Sequence, residues 1–183
     1  GGAVVKKHGF PGRYAEEIVS IDRGSKKERA LAAKFPMIKT TDLKDAREGR
    51  FYVAGPERKA PEVLLWGDSQ AMALAPAFQE LAEETNVKTV VAWYGATAPL
   101  IGHQSEHAES LTDDSPEWSQ AIVDYAKENR ISRVVLAASW GLYADLGRKG
   151  EVRDPDLFDD VAQKLAATVQ ELRQAGAEVW IFK

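Results

Sequence analysis

Ser69 is the residue best placed to do chemistry. It closes Gly67-Asp68-Ser69, which follows the apolar run Val63-Leu64-Leu65-Trp66 and precedes a helical pattern. That order predicts a short buried strand, a turn and a helix. Gly67 permits a sharp turn because it carries no Cβ, and Asp68 or Ser69 can cap the helix. A hydroxyl on such a bend lies past the carboxyl end of the strand. There the helix dipole and free N–H groups favour developing negative charge, so the position suits a nucleophile. Gly-Asp-Ser is also a plain strand-to-helix turn with the serine as its cap, and the tripeptide alone does not choose between the two.

Other residues compete for a role. Gly95 follows a second apolar run, Lys88 to Trp93, and Ser139-Trp140-Gly141 follows a third, Arg133 to Ala138. A glycine there lets its N–H approach a substrate oxygen, or is simply a loop glycine. Trp140 is a packing residue or a wall for a sugar ring. His103 and His107 sit in the loop after Gly95 with i, i+4 spacing. With no third ligand in view they read as a solvated loop pair rather than a metal site. Glu80, Glu83 and Glu84 read as a solvated helix face, and Arg148-Lys149-Gly150-Glu151 with Arg153 as a charged loop.

The elements that must position these residues are regular from residue 61 onward. A helix is predicted over Ala71 to Thr85, with Met72, Leu74, Ala75, Phe78, Leu81 and Ala82 on its apolar face. Ser115-Pro116-Glu117 starts another, with Ser115 as cap, running to about Asn129. Asp154-Pro155 opens the last helix, whose stripe is Leu157, Val161, Leu165, Val169 and Leu172. Gly176 ends it and Ala177 to Phe182 is a fourth strand. Continuously apolar strands alternating with helices predict an α/β fold, a parallel sheet with helices on both faces. Sites in such sheets form at the carboxyl ends of strands, where Ser69, Gly95 and Ser139 to Gly141 all fall. Residues 1–60 are rich in breakers. They read as a connector or amino-terminal extension packing on the main domain, with short helices at Tyr14 to Ile21 and Lys26 to Lys34 and a strand at Phe51 to Val53.

Composition sets the outer limits. With 183 residues, 44% hydrophobic and 28% charged, the chain suits a folded domain with a substantial core. A net charge of −4 without a Lys/Arg run argues against a nucleic-acid binder. The absence of cysteine excludes disulfides and thiolate metal sites. No apolar run reaches the roughly 18 residues of a membrane helix. The opening Gly-Gly-Ala, without Met, suggests a piece excised from a longer chain, with any targeting signal cut away.

Three ordered blocks carry a family resemblance. LLWGDSQAMALAPAF, then YGATAPLIG, then VVLAASWGLYADL resemble the SGNH (GDSL-like) hydrolase superfamily. Within it they look like the SGNH domain at the carboxyl end of type 3 acyltransferases, membrane proteins that O-acylate bacterial surface glycans. HGFPGR, at residues 8–13, resembles the stretch after their last membrane helix. The likeness covers residues 61–183 evenly and implies an SGNH-like three-layer sandwich there. It implies Ser69 as nucleophile and the N–H groups of Ser69 and Gly95 as oxyanion donors, with Asp68 and Trp140 supporting the site. Gly141 stands where the family carries an Asn donor, which leaves a backbone N–H, Ser139 or the Trp140 indole to serve instead. The family's Asp-x-x-His, which supplies the base and its orienting acid, is absent from these residues. That implies either a missing carboxyl-terminal part or a member that has lost activity.

The function implied is transfer of an acyl group, acetyl foremost, through Ser69 to a carbohydrate hydroxyl on the periplasmic face of a bacterial membrane. The partners are an acyl donor, a carbohydrate acceptor and a membrane acyltransferase domain of the same parent chain; no cofactor, metal or nucleic acid is called for. The alternatives are a non-catalytic glycan-binding or docking module and a free carbohydrate esterase.

Overall fold

The structure, a computed structural model, describes residues 38–145 and 152–182. The expected helices at Tyr14 to Ile21 and Lys26 to Lys34, His8 with its loop, and the charged run 148–151 lie outside the described residues. Along the chain run α1 (Leu43–Arg47), β1 (Tyr52–Ala54), β2 (Val63–Gly67), α2 (Ser69–Thr85), β3 (Thr89–Trp93), a 3-10 turn (Thr112–Asp114), α3 (Ser115–Glu128), β4 (Arg133–Ala137), α4 (Trp140–Tyr143), α5 (Pro155–Gln174) and β5 (Glu178–Phe182).

The sheet order is β1-β3-β2-β4-β5, so β2 is an interior strand. β2 pairs in parallel with β3 and β4, and β4 with β5. Edge strand β1 runs antiparallel to β3, which makes the sheet mixed where the sequence predicted only parallel strands. Residues 55–62 are too few for the crossover of a dozen or more residues that a parallel return needs.

Side chains alternate between two packed layers, as a pleated strand requires. Leu64, Trp66, Val90, Ala92, Val134 and Leu136 share one buried cluster with Trp118, Ile122 and Val123 of α3 and Leu172 of α5. Leu65, Val91, Trp93 and Ala137 face the other way, against Ala71 and Ala75 of α2. Helices on both faces explain why β2 and β3 are buried at every residue. Among the described residues β5 is the opposite edge. Its sequence is as apolar as the interior strands, yet Trp180, Ile181 and Phe182 are 58%, 40% and 45% exposed.

Two local expectations need correction. Leu81 is exposed rather than part of the α2 face; the buried stripe runs Ala71, Ala75, Ala82 and Leu81 lies to one side of it. Ser115 does not cap α3 but is its first residue. Its hydroxyl instead donates to the Thr112 carbonyl at 2.6 Å and accepts from the Ser105 N–H at 3.4 Å, bracing the long loop after β3. Asp154 does cap α5, accepting from the Asp156 and Leu157 N–H groups at 3.1 Å each. Gly176, at φ 93°, follows that helix in the left-handed conformation glycine tolerates.

Residues 38–60 pack on the sheet. The Thr41 N–H donates to the Trp93 carbonyl at 2.9 Å, and the Trp118 indole donates to the Thr41 carbonyl at 2.7 Å. Lys39 and Arg50 both pair with buried Asp45 of α1, each at 2.8 Å.

Candidate active site

The register of the sheet sets the site. Gly67 is opposite Trp93 on one side and Ala137 on the other. Ser69, Gly95 and Ser139 each stand two residues beyond that row. Because the chain leaves β2 towards β3 and later returns on the other side as β4, the carboxyl end of β2 opens a crevice at a topological switch point.

Gly67 is required there by proximity rather than by its dihedral angles. A Cβ on it would sit 1.7 Å from the Ala137 carbonyl oxygen, far inside contact distance. The Asp68 N–H donates to that same oxygen at 3.3 Å. Asp68 then caps α2, its Oδ1 accepting from the Gln70 N–H at 2.8 Å. Its Oδ2 accepts from the Ser139 N–H at 2.8 Å and the Tyr143 hydroxyl at 2.9 Å. Asp68 is 1% exposed, so this buried carboxylate ties the turn after β2 to the turn after β4. Burial, and then the neighbouring carboxylate, push Tyr143 well above the usual phenol range, which keeps its hydroxyl a donor.

Ser69 begins α2 and is exposed. Its N–H, like those of Gly95 and Gly141, donates to no acceptor among the described residues. The Ser139 N–H and the Trp140 indole are committed elsewhere. Ser139 gives its N–H to Asp68 and receives the Gln70 carboxamide on its hydroxyl at 3.4 Å. The Trp140 indole donates to the Phe182 carbonyl at 2.7 Å. Of the three groups that the resemblance left open at this turn, the backbone N–H of Gly141 and the hydroxyl proton of Ser139 have no acceptor among the described residues.

Gly95 is held by its own loop. Thr97, fully buried, donates its hydroxyl to the Gly95 carbonyl at 3.1 Å and accepts from the Leu111 N–H at 3.1 Å. A trans peptide sets its N–H opposite its carbonyl, so turning the Gly95 carbonyl towards Thr97 turns the Ala96 N–H away from it. Ala96 has φ 45°, a left-handed conformation costly for a residue with a Cβ. Such strain gathers at functional sites.

The histidines do not form the solvated pair expected from the sequence. His103 is 7% exposed, with Nδ1 buried and unpaired, because its ring packs edge-on against Tyr143 with centroids 6.0 Å apart. Burial, then the Lys164 charge, hold it below the ordinary imidazole range. His107 is exposed and accepts from the Glu109 N–H at 3.3 Å. Neither bonds Ser69.

Two cavities flank α4 and share Leu142 as a wall. One, of about 510 Å³, is polar and is bordered by Ala96, His103, Gln104, Glu106, Asp160 and Lys164. The other, of about 900 Å³, is lined by Gln70, Ser139 and, among the described residues, otherwise by uncharged and mostly apolar side chains.

The role of Tyr143, Gln70 and Thr97 was missed in the sequence. Thr97 offered a signal, since a hydroxyl two residues past a turn glycine commonly bonds its backbone. Tyr143 offered none, being 75 residues from its partner Asp68.

Comparisons with known proteins match the chain's sequence family and its fold. The sequence model of the SGNH domain (fused to AT3 domains) matches residues 38–183. Among solved structures the chain is similar to "Structure of Salmonella ser. Paratyphi A lipopolysaccharide acetyltransferase periplasmic domain", at 17% identity and a TM-score of 0.53. The match covers 85% of this chain and 54% of that one, so the chain spans about half that protein's length and the likeness is one of fold. No curated protein sequence matches.

Proposed function

The chain belongs to the family of SGNH domains fused to AT3 domains, and from that membership we propose that it is the periplasmic domain of a membrane O-acyltransferase, with Ser69 as nucleophile. The Ser69 oxygen attacks the carbonyl carbon of an acyl donor. The donor's leaving group departs with the serine proton, and an ester to Ser69 remains. A carbohydrate hydroxyl then attacks the same carbon, the bond to Ser69 breaks, and the serine regains a proton. Negative charge collects on the acyl oxygen in both steps, and the N–H groups of Ser69, Gly95 and Gly141 are assigned to receive it.

One observation carries this reading. An exposed serine hydroxyl stands at the switch point of the sheet, with N–H groups lacking an internal acceptor at the end of each of β2, β3 and β4. The likeness in fold to a lipopolysaccharide acetyltransferase periplasmic domain supports a surface glycan as acceptor and the periplasm as location. The polar cavity beside Ala96 is the assigned place for the sugar. No histidine among the described residues bonds Ser69, so the base is assigned to the family's Asp-x-x-His, elsewhere in the parent protein.

The test is acetyl-ester hydrolysis by the 183-residue chain and by the parent protein, each with and without Ser69→Ala. The parent protein should turn over, and Ser69→Ala should lower its rate by at least about a thousandfold. The 183-residue chain should be slow with or without the substitution. Parent-protein activity that survives Ser69→Ala would remove Ser69 from the mechanism. The lack of a histidine on Ser69 also favours a second reading, a glycan-binding module without chemistry. It predicts an inert parent protein that still binds glycan after Ser69→Ala.

A further inference from the structure

We infer that the Thr97 hydroxyl is a latch that stops the Gly95–Ala96 peptide from turning over, which makes Thr97 a positioning residue for the Gly95 oxyanion donor. This rests on the acyl-transfer reading and deepens it by naming what holds that donor.

Tyr94 to Thr97 form a β-turn, closed by the Thr97 N–H on the Tyr94 carbonyl at 3.4 Å. The Tyr94 N–H donates to the Gly67 carbonyl at 3.2 Å, so the turn starts from the end of β2. Its first peptide presents a carbonyl to Thr97 and therefore leaves the Gly95 N–H on the side away from it. Ala96, and not Gly95, carries the positive φ, 45°. A positive φ at the third residue alone is the pattern of a type II turn, which favours glycine or asparagine there. Alanine is strained in that place. Turning the central peptide over would give a type I turn and bring φ of Ala96 to about −90°, which most residues adopt. Something must oppose that relief, and the Thr97 hydroxyl does so by donating to the Gly95 carbonyl at 3.1 Å.

The hydroxyl is itself aimed. It accepts from the Leu111 N–H at 3.1 Å, which leaves its proton for the Gly95 carbonyl. Ser110, beside Leu111, accepts from the Thr112 N–H at 3.0 Å and donates to the His107 carbonyl at 2.6 Å, which steadies the anchor. Thr97 is fully buried, so water does not compete for the bond. The orientation it keeps matters for charge. The Ala96 N–H has no acceptor among the described residues, and Ala96 borders the polar cavity. Turned over, the peptide would put the Gly95 carbonyl where that N–H stands. An acceptor oxygen next to the Gly95 N–H would repel the charge that the site must gather.

The experiment reads the turn and the chemistry separately. In the 183-residue chain, Thr97→Val removes the hydroxyl and should let the turn pass to type I. The NMR cross-peak between Gly95 Hα and the Ala96 N–H should weaken, and that between the Gly95 and Ala96 N–H protons should strengthen. In the parent protein Thr97→Val should lower kcat for acetyl-ester hydrolysis at least about tenfold, towards the scale of one lost oxyanion donor. KM should stay within about twofold, because the contact serves the transition state alone. Thr97→Ser, which keeps the hydroxyl, should recover most of the loss. Adding Ala96→Gly to Thr97→Val should restore the type II cross-peaks and at least about threefold in kcat, since glycine suits the third position of that turn. A loss of packing would not be recovered in this way. Thr97→Ala serves if the valine variant does not fold. A type II turn that survives loss of the hydroxyl would overturn the inference. Ser69-dependent turnover that is unchanged when the turn passes to type I sinks the positioning role alone. A turn that passes to type I, in a parent protein without Ser69-dependent turnover, sinks the transfer reading alone.

Discussion

Gly67 and Gly95 lack a side chain for different physical reasons, and one contrast exposes both. At Gly67 an added methyl meets the Ala137 carbonyl at 1.7 Å, and neither strand can retreat without breaking the β2–β4 register. Gly67→Ala should destabilise by about 3 kcal/mol or more, at the upper end of overpacking costs. At Gly95 the added methyl meets only the Glu109 carbonyl at 3.5 Å, an ordinary contact. Gly95→Ala should keep stability within about 0.5 kcal/mol of wild type. Alanine keeps the backbone N–H, so in the proposed mechanism it should lower parent-protein ester turnover only by crowding the substrate oxygen, by several-fold and well short of the roughly hundredfold of one lost oxyanion donor. Urea denaturation and ester kinetics on both variants check the pair. A Gly95→Ala protein that is stable and fully active would show that the substrate oxygen does not need a bare Cα at this position.

Between elements, the join to test is Asp68, through which the turn after β2 holds the turn after β4. Asp68→Asn keeps one acceptor oxygen for the Gln70 N–H. It replaces the other with an amide nitrogen that cannot accept from the Ser139 N–H or the Tyr143 hydroxyl. Leaving buried donors unpaired costs about 1–3 kcal/mol each. Asp68→Asn should therefore lose about 2 kcal/mol or more in denaturant unfolding. Tyr143→Phe removes one of those donors. Combined with Asp68→Asn it should cost less than the two losses added, by about 1 kcal/mol. Additive losses would mean that the hydroxyl and the carboxylate do not act as a unit. This is also where the sequence ran out. The β2 and β3 strands were legible because each is buried at every residue and mostly apolar, and β4 because Val134 to Ala137 is an apolar run. Ser69 and Gly95 were legible because they follow such strands directly. α1 and α4 are too short to show a 3.6-residue period, whereas the strand expected at Phe51 to Val53 is found one residue on, at Tyr52–Ala54. Asp68 meets Ser139 and Tyr143 across separations of 71 and 75 residues, which no local pattern encodes. The burial of His103 likewise depends on Tyr143, from a different strand-end loop.

Across the whole molecule, one central strand divides the labour. β2 carries the candidate nucleophile, β3 on one side leads to the strained Gly95-Ala96 loop, and β4 on the other leads to the Gly141 turn. The outermost strands lie furthest from Ser69 in the sheet order. They differ in how they meet solvent: β1 is short and antiparallel, whereas β5, among the described residues, presents Trp180, Ile181 and Phe182 on an open margin. That margin has a consequence for colloidal behaviour. A row of free backbone groups beside apolar side chains is a template for strand addition, guarded in the sequence only by Glu178 and Lys183 at its ends and by a net charge of −4. The isolated chain should associate as it is concentrated, visible as a rising hydrodynamic radius in light scattering and stronger in high salt as repulsion is screened. Trp180→Lys, at an exposed position, should act as a gatekeeper and hold the radius constant with concentration. In practice, shelf life and crystallisability of the isolated chain would then depend on its last strand, while the proposed activity would depend on the middle one.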